Sequence, residues 1–374
     1  MRSLGFLALV FMFASSGFAA PIIVKVSFVE ALALRDTTSS ERFQKEFEAV
    51  IQLGKTELKS KLQGCGYQLE SQTAFYDASD PLQAKERAEQ AVKEGTWLIV
   101  GPRRSNHYLL LAQGAPKTPT VSLMASSSEV GALDSLHLSL SPLNAEMAQS
   151  AAREAATRVR KVSSPTYVAI VSRDCLTCGD FADHFEIAAK RLGLKESARI
   201  EITGELPSIE PLRVKIQALR PTFILLPNFS KVSAHVMAGV HDASSKSFFV
   251  GGDGWGDAQF GFVQNGKSLD TVTGMTVRGF PPVKDGLRAF PLGRRVLAEA
   301  KTLEIASSGP GLAILKVMAS TADILCSAKP KSADAFRAAF TKQGRKEFRA
   351  PWGVSIYQLN HGSISYIPRK TARQ

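Results

Sequence analysis

Two cysteines separated by two residues form the motif with the clearest reactive chemistry. Cys175-Leu176-Thr177-Cys178 precedes a predicted helix that begins at Asp180. Paired cysteines at a helix start can carry out thiol redox chemistry, because the helix N-terminus stabilises a thiolate. Zinc would need further ligands, and beyond His184 a fourth is not evident in the sequence. If the chain is exported, a local disulfide between Cys175 and Cys178 is the simpler interpretation, with a redox enzyme as the alternative.

An acidic residue follows directly after an apolar, strand-like run. Asp253 lies within Gly251-Gly252-Asp253-Gly254, immediately after Phe248–Val250. The glycines allow close approach of a ligand, and the carboxylate could pair with an ammonium group. The alternative is a turn aspartate, which Asp-Gly sequences favour. Trp255 beside it is predicted either to line a pocket or to pack in the core.

A loop between a buried strand and a helix carries a hydroxyl group and two cations. It reads Gly101-Pro102-Arg103-Arg104-Ser105-Asn106. A hydroxyl and free backbone N–H groups at a helix N-terminus suit a carboxylate or another anion. Ser105 is therefore a candidate ligand contact, unless it or Asn106 only caps the helix. Arg103 and Arg104 could attract an acidic ligand group or lie exposed on the rim.

The elements that position these loops alternate between strand-like and helix-like runs. One α/β set extends from Ile22 to Leu123 and a second from Asn144 to Val250. This alternation predicts parallel sheets, whose ligands bind outside the carboxyl ends of the strands. The less periodic segments His137–Pro142, Val272–Pro282 and Gly353–Ile367 are predicted crossings between the two sets.

A strongly apolar helix is predicted near the C-terminal end of the chain. It covers Gly311–Leu325 and could return to the first domain. If it does, Cys65 and Cys326 could form a second disulfide.

The first nineteen residues resemble a secretory signal peptide. A short basic start is followed by the apolar run Leu4–Ala14 and then by small residues. The run is shorter than the roughly 20 apolar residues that cross a membrane. We predict cleavage before or after Ala20 and a periplasmic location.

Composition excludes several classes of protein. The 374 residues suit about two domains, and 44% hydrophobic with 21% charged residues argues against a disordered or fibrous chain. Four cysteines are too few for a scaffold built on disulfides. A net charge of +12 could indicate nucleic acid, but export and the scattered basic residues argue against that partner. The basic residues between Lys329 and Arg349 are interpreted as a solvated helix face or as an attraction to acidic envelope surfaces.

Four segments in order resemble the type I periplasmic binding proteins, especially the branched-chain amino-acid branch of ABC transport. They are Tyr76–Pro81 with Leu98–Pro102, Thr118–Ser128, Leu138–Pro142 and Phe248–Trp255. The resemblance implies an α/β fold of two Rossmann-like lobes, each a parallel sheet flanked by helices, joined by a three-segment hinge. With residues 1–19 as signal peptide, the expected N-terminal lobe is 20–140 and 273–352. The expected C-terminal lobe is 141–272 and 353–374.

The resemblance also implies a function. The expected protein is a monomer, not an enzyme, that captures an amino acid or a related small polar solute between its lobes and delivers it to an ABC permease. No cofactor or metal is expected. An envelope sensor with the same fold that signals to a partner protein is the alternative.

Individual residues take their implied roles from matching positions. Ser105 would hold the ligand carboxylate, Met124 would contribute its backbone carbonyl, and Ser126 its hydroxyl and N–H. Asp253 would hold the ammonium group. Cys178 stands where many relatives place an aromatic residue that closes over the ligand.

The first loop also departs from the family pattern. Leu34-Arg35-Asp36-Thr37-Thr38 replaces a Gly-rich loop. Together with Cys178, this departure argues against a standard branched-chain ligand.

Overall fold

The structure is a computed structural model. It describes residues 20–32, 37–204, 206–244, 247–255, 269, 271–298, 309–360 and 363–368. The predicted signal peptide and residues 34–36 of the predicted first loop lie outside this part of the chain.

The first lobe is built on five parallel strands. Its strands are β1 (Ile22–Leu32), β2 (Tyr67–Asp77), β3 (Leu98–Val100), β4 (Thr120–Ser122) and β5 (His137–Ser139), in the order β2-β1-β3-β4-β5. The helices of this stretch are α1 (Thr37–Gly64), α2 (Leu82–Lys93), α3 (Ser105–Gly114) and α4 (Ser128–Gly131). The central strands are β-branched and apolar, which suits strands covered on both faces.

The second lobe begins a new α/β set. Its strands are β6 (Thr166–Ser172), β7 (Lys195–Ile202), β8 (Phe223–Leu226), β9 (Phe248–Gly251) and β10 (Thr273–Arg278). Its helices are α5 (Asn144–Arg158), α6 (Leu176–Arg191), α7 (Glu210–Leu219) and α8 (Ser230–Val240), and a 3-10 turn covers His241–Ser244.

The chain then returns to the first lobe with four helices and to the second lobe with two strands. The helices are α9 (Val283–Arg288), α10 (Pro291–Ala298), α11 (Gly309–Ala328) and α12 (Ala333–Glu347), followed by strands β11 (Ser355–Asn360) and β12 (Ser363–Ile367). β11 and β12 extend the second sheet in antiparallel fashion, giving the order β12-β11-β10-β9-β8-β6-β7. The expected α/β fold with two flanked sheets is therefore confirmed.

Helix α11 returns to the first lobe and fills its core. Its 20 residues are long and apolar enough to span a membrane, but Leu312, Ile314 and Leu315 are fully buried in the first-lobe cluster with residues of α1. The predicted Cys65–Cys326 disulfide is present and joins the chain just after α1 to α11. Burial of one apolar helix on several sides explains its composition without a membrane.

The second crossing lies later than the predicted boundary between residues 272 and 273. β10 pairs in parallel with β9, so Thr273–Arg278 belongs to the second lobe and the chain crosses only after Arg278. The crossing segments also contact one another. Trp352 Nε1 donates to the carbonyl oxygen of Gly279 at 2.7 Å, and Tyr357 Oη donates to that of Phe280 at 2.9 Å.

Helix α6 begins four residues before its predicted start at Asp180. Cys175 is its N-cap, and the Cys175 sulfur accepts a hydrogen bond from the Cys178 N–H at 3.3 Å. The disulfide between the two cysteines therefore lies in the first turn of α6. A sulfur N-cap is unusual, and the sequence rules for helix starts, which rest on oxygen caps, miss it.

Candidate ligand-binding site between the lobes

The loop after β3 makes a sharp turn before it reaches Ser105. Gly101 has φ +101°, and a Cβ at this position would overlap the carbonyl oxygen of Val29 on the neighbouring strand. Only glycine fits here, because both the backbone conformation and the space exclude a side chain. The turn places Ser105 at the start of α3, at the carboxyl edge of the sheet.

Ser105 ties the two first-lobe loops together. It is 4% exposed, and its Oγ accepts hydrogen bonds from the N–H groups of Ser126 at 3.1 Å and Ser127 at 3.2 Å. A serine hydroxyl also carries one proton, so these two bonds leave the Ser105 O–H as a donor. The Ser126 N–H, expected to bind a ligand, is engaged by Ser105 in this structure.

Asp253 lies opposite Ser126 across the interlobe cleft. Ser126 Oγ donates to Asp253 Oδ2 at 3.3 Å, so one hydrogen bond joins the loop after β4 to the loop after β9. Burial raises the pKa of Asp253 to about 6, while the Ser126 hydrogen bond and the charge of Arg278 act in the opposite direction. The structure thus brings together Ser105, Ser126 and Asp253, three of the predicted contacts.

Asp180 makes a second connection between the lobes and was not predicted as a site residue. Its Oδ2 accepts from the Ser128 N–H at 3.0 Å and from Asn144 Nδ2 at 2.8 Å, and its Oδ1 accepts from Ser128 Oγ. Its side chain is 12% exposed. The sequence predicted Asp180 only as the first residue of a helix. It did not indicate the contact with Ser128, because that contact depends on how the other lobe is positioned.

Arg103 is engaged within the first lobe. Its Nε lies 3.2 Å from Glu30 Oε2, and its guanidinium stacks over the Phe43 ring at 4.3 Å from the centroid. Glu30 is only 1% exposed, so it needs a nearby cation. The sequence did carry a signal for this pair, since Glu30 is the single carboxylate near the end of the apolar strand β1.

A buried histidine and tyrosine lie at the same edge of the first sheet. Tyr76 Oη and His107 Nδ1 are 2.9 Å apart. Burial, with a smaller effect of the Arg104 charge, lowers the pKa of His107 to about 4. Burial also raises the pKa of Tyr76 above its ordinary value. Both side chains are therefore neutral at pH 7 and form a fixed hydrogen-bonded pair.

Three predicted site residues have their side chains in packing positions. Cys178 is 2% exposed in a second-lobe core cluster, and its sulfur is bonded to Cys175. Trp255 is fully buried, and its Nε1 donates to the Leu226 carbonyl at 3.0 Å, which is the packing alternative. Met124 is partly buried against the first-lobe core.

An exposed aromatic residue beside Asp253 was missed. Phe229 follows β8 and is 54% exposed. A Cβ on Gly254 would come within 3.2 Å of Phe229 Cδ1, so the ring lies against the Asp253 loop. The signal was a large apolar residue just after a buried strand, which is a ligand-facing position in open α/β sheets.

A groove lies at the hinge, away from these residues. Its volume is about 750 Å³, and it is lined by the first and third crossing segments, by the end of α12 and by Lys316. Neither Ser105, Ser126 nor Asp253 lines it. Within the described ranges, no three His, Cys, Asp or Glu side chains come together as a metal site.

Comparison with known proteins places the fold. No protein-family model matches the sequence, and no curated protein matches it. A leucine-, isoleucine-, valine-, threonine- and alanine-binding protein from Brucella ovis, in its closed conformation, has a TM-score of 0.70 at 16% identity, covering 94% of this chain and 95% of that one.

Two further solved structures are similar over nearly the same extent. A leucine-binding protein from Thermotoga maritima has a TM-score of 0.68 at 13% identity, covering 92% of this chain and 98% of that one. An ABC transporter solute-binding protein from Rhodopseudomonas palustris, in complex with benzoate, has a TM-score of 0.65 at 13% identity, covering 92% and 95%. The chain has the two-lobed α/β fold of the type I periplasmic binding proteins.

Proposed function

We propose that the protein is a periplasmic solute-binding protein that captures an α-amino acid or a related zwitterion between its lobes and delivers it to an ABC permease. The observation that carries the proposal is the hydrogen bond between Ser126 Oγ and Asp253 Oδ2 across the cleft. A zwitterion can replace both partners of this bond. Its ammonium would donate to Asp253, and its carboxylate would accept from Ser126.

The surrounding groups support the same chemistry. Ser105 offers a hydroxyl proton beside Ser126, so a carboxylate would meet two hydroxyl donors. Asp253 is partly buried and its pKa is raised, so it gains from an ammonium partner, because the new positive charge offsets the loss of water. Phe229 is exposed and lies against the Asp253 loop, and in this proposal its ring would cover the apolar part of a ligand.

The structural relatives provide two classes of ligand to test. The Brucella ovis and Thermotoga maritima structures are of amino-acid-binding proteins, and the Rhodopseudomonas palustris structure is a complex with benzoate. Benzoate has no ammonium group and would leave Asp253 without a partner. We therefore expect amino acids rather than aromatic carboxylates.

A thermal-shift screen of the chain without residues 1–19 tests the proposal. Amino acids are expected to raise the melting temperature, whereas benzoate and the des-amino acids of the same carbon skeleton are not. Asp253→Asn should abolish the stabilisation. Asp242 is an exposed aspartate of the same lobe, so Asp242→Asn is the matched control and should keep the stabilisation by amino acids. Stabilisation by benzoate alone, or by no carboxylate at all, would overturn the proposal.

A further inference from the structure

Asp180 uses both carboxylate oxygens to hold one residue of the opposite lobe. Ser128 begins α4 in the first lobe, whereas Asp180 lies in the first turns of α6 in the second. Oδ2 accepts from the Ser128 N–H at 3.0 Å, and Oδ1 accepts from its hydroxyl. Two hydrogen bonds to one carboxylate fix its orientation as well as its position, and bonds to a charged acceptor are among the stronger ones in proteins.

The second lobe holds Asp180 ready for this contact. Asn144, which is fully buried, donates from Nδ2 to Asp180 Oδ2 at 2.8 Å and to the Thr177 carbonyl at 3.0 Å. His184, one turn along the same helix, places Nε2 at 3.5 Å from Asp180 Oδ1. Both contacts come from the second lobe itself, so they do not require the first lobe to hold the carboxylate in place.

The same network reaches the proposed ligand loop through the backbone. The Asn144 N–H donates to the Ser126 carbonyl at 2.6 Å, and Ser128 lies two residues after Ser126. The Cys175–Cys178 disulfide closes the first turn of α6. In that turn the Thr177 carbonyl oxygen accepts a hydrogen bond from Asn144 Nδ2. Asp180, Asn144 and Ser128 thus lock the 126–128 loop to the second lobe beside the Ser126–Asp253 contact.

We propose that Asp180 is an interlobe latch: it stabilises the closed form directly and so sets ligand affinity as a positioning residue. In this proposal the Asp180–Ser128 bonds break when the lobes separate, so they favour the closed form. Apparent affinity depends on the fraction of the protein in the binding-competent form. The affinity part rests on the proposed function, whereas the effect on closure without ligand does not.

The matched variants are Asp180→Asn and Asp183→Asn. In the first variant the asparagine side chain is nearly the same size as the aspartate but has one acceptor oxygen and no charge, so the two charge-assisted bonds from Ser128 are lost. Asp183 lies on the same helix, is 64% exposed and pairs with Arg199 of its own lobe. The control therefore makes the same chemical change without touching the first lobe.

Small-angle X-ray scattering of the ligand-free protein is the first measurement. Asp180→Asn should give a larger radius of gyration than wild type, and Asp183→Asn should match wild type. Ser128→Ala, which removes one donor from the other lobe, should shift the radius in the same direction but less. Equal radii for wild type and Asp180→Asn would overturn the latch, whatever the ligand turns out to be.

Calorimetric titration with the amino acid found by thermal shift is the second measurement. Loss of a charged hydrogen-bond pair predicts an affinity about 10- to 100-fold weaker for Asp180→Asn. The double variant with Ser128→Ala should be little weaker than Asp180→Asn alone, because both remove the same contact. Additive losses, or weaker binding with an unchanged radius, would show a structural role and overturn the proposal. If no ligand is found, the scattering result still decides the latch, and only the proposed function fails.

Discussion

At the scale of single residues, the site consists of polar groups that satisfy one another across the cleft. Ser105 accepts from the Ser126 backbone, and the Ser126 hydroxyl donates to Asp253. Every one of these groups can exchange its protein partner for a ligand group of matching polarity. The Ser126 hydroxyl and the Asp253 carboxylate thereby have a partner before a ligand arrives, and leaving such groups unpaired when buried would be costly.

The raised pKa of Asp253 gives a pH prediction at the same scale. Burial in the closed form raises it from 3.8 to about 6, so the closed form binds a proton more tightly than an open form with a hydrated carboxylate. Closure of the empty protein is then favoured below about pH 6 and loses this contribution as the pH rises through that value.

Scattering at pH 7.5 and pH 5.0 checks this sign. The radius of gyration of the ligand-free protein should fall on acidification, and Asp253→Asn, which has no proton to gain there, should lose most of the change. An identical pH response in wild type and variant would assign the effect to other groups.

At the scale of elements, the two disulfides close chain segments of very different length. Cys65 and Cys326 are separated by 261 positions and join the chain just after α1 to α11. Cys175 and Cys178 are separated by 3 positions and close one turn of α6. In the chain-entropy account a disulfide stabilises more when it closes a longer loop, so the first bridge should dominate stability.

Chemical denaturation of serine variants tests that difference. The Cys65→Ser/Cys326→Ser pair should lower the free energy of unfolding by about 2–5 kcal/mol. The Cys175→Ser/Cys178→Ser pair is the matched control and should cost less. Equal losses would show that the long bridge adds nothing beyond local packing.

Elements were more predictable from the sequence than their contacts. Periodicity predicted the apolar helix α11, which could return to the first lobe and does so. Periodicity missed the start of α6, where a cysteine replaces an oxygen cap. The lobe boundary that the resemblance implied placed the second crossing before β10. β10 lies within the less periodic segment Val272–Pro282, and only its pairing with β9 shows which sheet it joins.

At the scale of the whole molecule, the interlobe contacts were the least predictable feature. Ser126 and Asp253 were each predicted as ligand contacts, yet their mutual hydrogen bond follows only from the relative position of two lobes. Asp180 gave no signal for the same reason. Arg103 was predicted either to attract an acidic ligand group or to lie exposed on the rim. Its guanidinium pairs with the buried Glu30 of its own lobe, because a carboxylate in an apolar strand needs a cation nearby.

The central claim is that a zwitterion splits the Ser126–Asp253 bond, with its ammonium on Asp253. Calorimetric titration of wild type and Asp253→Asn, each with the amino acid and its des-amino analogue, tests this most directly. Wild type should bind the amino acid at least tenfold more tightly than the analogue, since a charged hydrogen bond contributes about 1.5–3 kcal/mol. Asp253→Asn should lose that preference. If the variant keeps the full preference for the amino acid, Asp253 does not hold the ammonium group and the account is wrong.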